Sequence, residues 1–219
     1  MKPKYKGVIF DLDGTLADTI EDIAASMNRA LGLRGFPELE AAEYRNKVGW
    51  GIERLAFLSL PPEARQNELA KEISLKAAEL YAENPLVHSR PYPGIEELLG
   101  ALKAAKIKTA VLSNKPHPTA LKVIAGLFPP DTFHAVKGEI FGDKRKPDPS
   151  TVWELLVDLD LTPANIIFIG DSEIDMETAV SSSCFPLGVS WGYRSKETIL
   201  KAGARRIIDK PEELLDVLY

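Results

Sequence analysis

Gly7-Val8-Ile9-Phe10-Asp11-Leu12-Asp13-Gly14-Thr15 joins a short, continuous apolar run to an acidic turn. An apolar run with no polar alternation is what a strand buried on both faces requires, and such strands belong to parallel sheets covered by helices. The turn places two carboxylates at the carboxyl end of that strand, where α/β sheets bind ligands, and Gly14 lets the backbone turn sharply there. Taken alone, the same turn is equally a solvated loop.

The pattern recurs along the chain. Thr109-Ala110-Val111-Leu112 runs into Ser113-Asn114-Lys115, and Ile166-Ile167-Phe168-Ile169 runs into Gly170-Asp171-Ser172-Glu173-Ile174-Asp175. Between these runs, Ile95, Leu98, Leu99 and Leu102 follow Pro93-Gly94 at helical spacing, and Trp153, Leu155, Leu156 and Leu159 follow Pro149-Ser150. Leu187-Gly188-Val189 and Arg206-Ile207-Ile208 add candidate strands, and a helix from Pro211 closes the chain. Alternating strand and helix predict a doubly wound (Rossmann-like) parallel α/β sheet.

The stretch from Thr19 to Ala82 breaks that rhythm. Ile20, Ile23, Ala24, Met27 and Leu31 recur at helical spacing with no strand among them, and turns at Asn84-Pro85 and Pro91-Tyr92-Pro93-Gly94 end the stretch. The expected organisation is an α/β core of residues 1–17 and 88–219 with an all-helical cap, 18–87, inserted after the first strand.

Composition narrows the partners. A chain of 219 residues, 45% hydrophobic and 27% charged, has the balance of a globular protein, and its net charge of −5 provides no overall basic field for nucleic acid or an anionic membrane. No apolar stretch approaches membrane-spanning length, and the short lead before Gly7 is too brief for a signal sequence. The single cysteine, Cys184, lies in an apolar context and fits a reducing compartment, so a cytoplasmic protein is expected. His88, His117 and His134 match neither a catalytic triad nor zinc spacing. Nothing in the sequence specifies an oligomeric state.

Asp11, Asp13, Asp171 and Asp175 should meet on one rim of the sheet. Helix capping accounts comfortably for one of these acids, but four clustered carboxylates repel unless a cation lies among them, and Mg²⁺ takes oxygen ligands of this kind. Ser113 and Asn114 present a hydroxyl and backbone N–H groups suited to phosphate oxygens, and are equally an ordinary capping turn. Lys144-Arg145-Lys146-Pro147-Asp148-Pro149 supplies cations in a loop stiffened by two prolines.

In this order, Asp11-x-Asp13-Gly-Thr, Ser113, Lys146 and Gly170-Asp171-x-x-x-Asp175 resemble the motifs of the haloacid dehalogenase superfamily, over the whole chain. The Asn-Lys-Pro after Ser113 and the Lys-Pro-Asp-Pro loop are similar to its phosphoglycolate phosphatase branch. The resemblance implies that Asp11 attacks phosphorus to form an aspartyl-phosphate, being ionised at the reference carboxylate pKa of about 3.9. It further implies that Asp13 protonates the leaving alkoxide and then activates water. Mg²⁺ would lie on Asp11, the Asp13 backbone carbonyl and Asp171, with Asp175 behind them. Lys146 would offset charge on Asp11 and the phosphoryl group, with Thr15, Ser113 and Asn114 also on the substrate side.

An acid at Asp13 favours phosphate esters over the dehalogenases, and over phosphonate hydrolases that use a cap lysine, for which Lys47 would be the candidate. The cap loop from Arg45 to Arg54 is expected to close over the site, with Arg45, Lys47 and Arg54 selecting a small anionic leaving group such as that of 2-phosphoglycolate. Pyrophosphatase, nucleotide or sugar-phosphate phosphatase and hexose-phosphate mutase activities share the same motifs, and a phosphate-binding regulator without turnover is the non-enzymatic alternative.

Overall fold

The computed structural model describes residues 3–140 and 144–219; the first two residues of the N-terminal lead, and 141–143 within the expected core, lie outside the described residues. Six parallel strands form the sheet: β1 (Gly7–Phe10), β4 (Lys108–Pro116), β5 (Ala135–Glu139), β6 (Ile166–Gly170), β7 (Phe185–Val189) and β8 (Arg206–Ile208). Their spatial order is β5-β4-β1-β6-β7-β8. Helices α5 (Ile95–Ala104), α6 (His117–Leu127), α7 (Ser150–Leu159), α8 (Glu173–Ser181), α9 (Lys196–Lys201) and α10 (Leu214–Leu218) complete the α/β part.

The continuous apolar runs are explained by burial on both faces. Val8 and Phe10 join one apolar cluster and Ile9 the other, while in β6 Ile167 and Ile169 face one side and Ile166 and Phe168 the other. The chain builds outward from β1 through β4 to β5, then returns to place β6 on the other side of β1. The carboxyl ends of β4, β1 and β6 therefore converge at the point where the winding reverses, which is where such sheets bind ligands.

Two features depart from the sequence expectation. β4 continues through Ser113-Asn114-Lys115 to Pro116, with its pairing to β5 shifting between Leu112 and Pro116, so the polar triplet is the strand's own end and not the capping turn that its residues equally allow. Edge strand β5 was not anticipated, because Ala135-Val136-Lys137-Gly138-Glu139 has no apolar run and is only half-buried.

Between β1 and α5, a two-residue strand β2 (Ala17–Asp18) pairs antiparallel with β3 (Arg90–Pro91). Between these short strands lie α1 (Ile20–Gly32), α2 (Ala41–Tyr44), α3 (Ile52–Ser59) and α4 (Asn67–Glu83), with no further strand. Chain exit and return are thus side by side. Asp22 in α1 is buried and ties them together, accepting from the His88 N–H at 3.0 Å, the Ser89 N–H at 2.8 Å and the Ser89 hydroxyl at 2.6 Å. Among the described residues no helix is long and apolar enough to cross a membrane.

Asp22→Ala would leave the buried Ser89 donors without their acceptor, at a cost of about 1–3 kcal/mol. Urea unfolding should show that loss, with a smaller one for Asp22→Asn; an unchanged midpoint for Asp22→Ala would contradict this role.

Candidate active site

Asp11 leaves β1 with its N–H bonded to the Ile169 carbonyl of β6 at 2.9 Å, so the strand pairing itself delivers the carboxylate to the rim. The turn that follows requires Gly14: its φ is +96°, and a Cβ there would lie 2.5 Å from Asp171 Oδ2. Asp171 leaves β6, and its Oδ2 accepts the Tyr193 N–H at 2.6 Å. Carboxylate oxygens of Asp11, Asp171 and Asp175, all buried, lie within 4.8 Å of one another.

Lys146 is the ammonium among these acids. Its Nζ lies 2.6 Å from Asp11 Oδ1 and 2.7 Å from Asp175 Oδ1, with the residue only 4% exposed. Asn114 aims this lysine by clasping its backbone: Lys146 N–H donates to Asn114 Oδ1 at 2.9 Å, and Asn114 Nδ2 donates to the Lys146 carbonyl at 3.0 Å. The same amide reaches the Gly49 carbonyl at 2.9 Å, touching the helical insert.

Asp175 serves both roles that its position in sequence allows. Its Oδ2 accepts the Ser172 N–H at 3.1 Å and the Ser172 hydroxyl at 2.5 Å, forming the capping box of α8, while Oδ1 takes Lys146. Capping and site chemistry are divided between two oxygens of one carboxylate.

Burial pushes the Asp11 carboxyl well above the ordinary carboxylate range; Lys146 opposes that rise, and Asp175, Asp171 and Asp13 add to it. Burial, then Asp175, raises Asp171 to about 7, against the Tyr193 N–H, Arg194 and Lys146. Desolvation works to discharge Lys146, but Asp11 and Asp175 outweigh it and hold the ammonium charged. Lys146 alone thus does not return the nucleophile candidate to the ordinary carboxylate range, and further positive charge beside it would favour its ionised form. In their ionised forms the three buried carboxylates carry two more negative charges than the Lys146 ammonium they surround can offset. That donor set suits a divalent cation, since an octahedral oxygen shell around Mg²⁺ is about 4 Å across.

Asp13 lies apart from that triplet. Lys115 Nζ donates to its two oxygens at 2.8 and 3.0 Å, and the Thr19 hydroxyl donates at 2.6 Å. Its carboxylate and that of Asp11 both line a cleft between the sheet rim and the helical insert, along with Ser113, Asn114, Lys115, Lys146 and Asp171. Ser113 Oγ accepts the Lys115 N–H at 3.1 Å, which keeps its own O–H free to donate into the cleft.

Other expected residues are placed elsewhere. Thr15 is fully buried outside the cleft lining and points its hydroxyl at Asp171 Oδ1, 3.4 Å away. Arg45, Lys47 and Arg54 do not line the cleft: Lys47 Nζ bonds the Glu43 carbonyl at 2.8 Å, and the Arg54 guanidinium stacks on Phe57 at 5.2 Å. The loop that carries these cations instead meets the core through its backbone. Arg194 pairs with Glu173 at 3.0 Å and donates to the carbonyls of Arg45 and Val48, the latter at 2.7 Å.

Tyr193, Arg194 and Tyr81 line the cleft although no sequence motif contains them, and so does Lys115, which the sequence marks only as part of the Asn-Lys-Pro after Ser113. Tyr193 and Arg194 follow the apolar run of β7 much as Asp11 follows β1, a signal that was available. No pattern marks Tyr81, one aromatic on the packed face of α4.

Residues 8–189 match the family model of haloacid dehalogenase-like hydrolases. The chain is 31% identical to a phosphoglycolate phosphatase of Vibrio vulnificus, the alignment spanning 98% of this chain and 96% of that protein. It is 30% identical to an N-acetylmuramic acid 6-phosphate phosphatase of Pseudomonas aeruginosa, over 98% and 95%. A crystal structure from Lactobacillus delbrueckii subsp. bulgaricus, provisionally assigned as a phosphoglycolate phosphatase, superposes with a TM-score of 0.91 at 30% identity, covering 98% of each chain. With this coverage, the chain belongs to the haloacid dehalogenase-like hydrolase family and is a phosphatase of the phosphoglycolate-phosphatase-like branch.

Proposed function

We propose that the protein hydrolyses 2-phosphoglycolate or a similar small organic phosphate through an aspartyl-phosphate on Asp11, with Mg²⁺ as cofactor. The observation that carries this reading is the buried set of Asp11, Asp171 and Asp175 around the single ammonium of Lys146, beside a second, separately held carboxylate, Asp13. The relatives' names support the substrate class: phosphoglycolate and N-acetylmuramic acid 6-phosphate both join a phosphate ester to a carboxylic acid.

On this reading, an Asp11 carboxylate oxygen attacks phosphorus while the bond from phosphorus to the leaving oxygen breaks. Asp13 donates its proton to that oxygen, and the alcohol departs. Asp13 then removes a proton from water, which attacks the phosphorus of the aspartyl-phosphate, releasing inorganic phosphate and restoring Asp11. Lys146 steadies the Asp11 carboxylate and the charge on the transferring group, and Ser113 donates its hydroxyl to a phosphoryl oxygen. Asp11, the Asp13 carbonyl and Asp171 would hold Mg²⁺, which when bound supplies the positive charge that the three buried carboxylates and the phosphoryl oxygens require.

Residues 18–87 act as a cap on the core of 1–17 and 88–219 in this proposal, supported by the paired crossing at β2 and β3 and by the cleft between the two. Because Arg45, Lys47 and Arg54 stay out of the cleft lining, substrate choice is not assigned to them. A cytoplasmic location remains part of the proposal, supported by the buried free thiol of Cys184.

Hydrolysis of p-nitrophenyl phosphate should require Mg²⁺ and vanish in Asp11→Asn, while Lys146→Met should lower kcat by about 10²–10³-fold. Turnover persisting in Asp11→Asn would overturn the mechanism, and Mg²⁺-independent turnover the cofactor assignment.

Thermal denaturation offers a second test. Folding raises the Asp171 pKa to about 7, against about 3.9 for the unfolded chain. Between those values the folded state holds a proton that the unfolded state has released, so stability falls as pH rises through this window. Chelator-treated protein should therefore lose Tm from pH 5 to pH 7.5, and Mg²⁺ should reverse the loss at the higher pH; a Tm flat with pH and indifferent to Mg²⁺ would contradict the charge imbalance.

A further inference from the structure

The two walls of the cleft differ in chemistry. Its floor is the polar sheet rim, whereas the insert contributes chiefly Ile23, Met27, Val48, Ile52 and Leu55. An anionic group entering such a cleft beside the phosphate must be met by donors, because an apolar wall offers none. Among the described residues three cationic side chains line it: Lys115, Lys146 and Arg194. Lys146 is shared between Asp11 and Asp175, and the Arg194 guanidinium is taken up by Glu173 and the carbonyls of Arg45 and Val48.

Lys115 is different. Its ammonium carries three donors, of which the two Asp13 oxygens, at 2.8 and 3.0 Å, can engage two. The charge also lies 4.4 Å from the ring centroid of Tyr81, which α4 brings down from the insert. Tyr81 is 4% exposed, lines the same cleft, and has a buried hydroxyl that completes no hydrogen bond. Lys115 and Ser89 lie close enough to bear on the phenol's ionisation without completing one. Buried tyrosine hydroxyls usually find a partner, so this one marks a place where an acceptor belongs.

We propose that Lys115 and Tyr81 form the subsite for a carboxylate carried by the alcohol part of the substrate, which makes them specificity-determining residues. The proposal rests on the phosphatase reading above, because it is Asp13's contact with the leaving oxygen that brings the alcohol's remaining atoms beside Lys115. A carboxylate there accepts the remaining ammonium N–H and the Tyr81 O–H, while the Lys115–Asp13 pair stays intact. Lys115 belongs to β4 of the core and Tyr81 to α4 of the insert, so the subsite is complete only when the insert is seated on the core. Recognition of the carboxylate and closure of the cleft are thereby one event, and a substrate lacking that group receives no help in closing it.

The test compares 2-phosphoglycolate with 2-hydroxyethyl phosphate, in which a neutral hydroxymethyl group replaces the carboxylate, with Mg²⁺ present. The wild-type protein should favour 2-phosphoglycolate in kcat/KM by about tenfold or more, chiefly through KM. Lys115→Met should reduce that ratio to within about threefold, Lys115→Arg should restore part of it, and Tyr81→Phe should reduce it by about threefold or more. The same comparison, read as Kd by calorimetry on the Asp11→Asn background, needs no turnover. If the wild type hydrolyses neither ester nor p-nitrophenyl phosphate, the phosphatase reading fails and the Kd ratio still judges the subsite. Equal wild-type efficiency on the two esters, or equal losses on both in Lys115→Met and Tyr81→Phe, would overturn the proposal while leaving the phosphatase reading standing. Should Lys115→Met not fold, the wild-type ratio and Tyr81→Phe decide the matter.

Discussion

The Lys146 ammonium, buried between Asp11 and Asp175 and within the field of Asp171, is the contact on which the site depends. Burial does most to push the Asp11 and Asp171 carboxyls upward, the neighbouring acids add to it, and the one positive charge of the lysine does not cancel the rise. Much of the local structure maintains this arrangement. The strand order brings β4, β1 and β6 together, Asn114 clasps the Lys146 backbone, the α8 capping box fixes Asp175, and Gly14 lets the chain pass against Asp171. A cluster held this rigidly in its charged geometry gains most from a bound divalent cation, because little reorganisation remains to be done when the cation arrives.

Some of the helical insert's contacts with the core do not depend on the identity of its own side chains. Arg194 donates to two of its backbone carbonyls and Asn114 to a third. Contacts of this kind hold the insert over the cleft while leaving its apolar side chains free to shape the roof. Side chains also meet across the boundary, Thr19 with Asp13 and Tyr81 with Lys115, so the group assigned to proton transfer lies where core and insert meet.

Legibility of the sequence followed burial. β1 and β6, apolar on both faces, announce themselves as uninterrupted runs, and the carboxylates that end them mark the rim. β5 carries no such run because an edge strand half open to solvent tolerates Lys137, Gly138 and Glu139. In the site, acids repeated after strands were readable as a group, since ordinary capping does not require so many. Side-chain direction was not: spacing cannot reveal that Asn114 turns back on Lys146, that Thr15 faces Asp171, or that Arg54 lies on Phe57. Charges near glycines in the Arg45–Arg54 loop suggested a binding role, yet the loop presents backbone carbonyls to Arg194 and keeps those cations outside the cleft lining. Tyr81, set in an ordinary helical pattern, had no signal until α4 was placed opposite Lys115.

The central claim is that Asp11 itself becomes bonded to phosphorus. Rapid acid quench during turnover, followed by borohydride reduction and peptide mass spectrometry, tests it most directly, because reduction converts an aspartyl-phosphate into homoserine. The account predicts homoserine at position 11, formed only when substrate and Mg²⁺ are both present. Phosphate release with position 11 always recovered as aspartate, or reduction at a different residue, would contradict it.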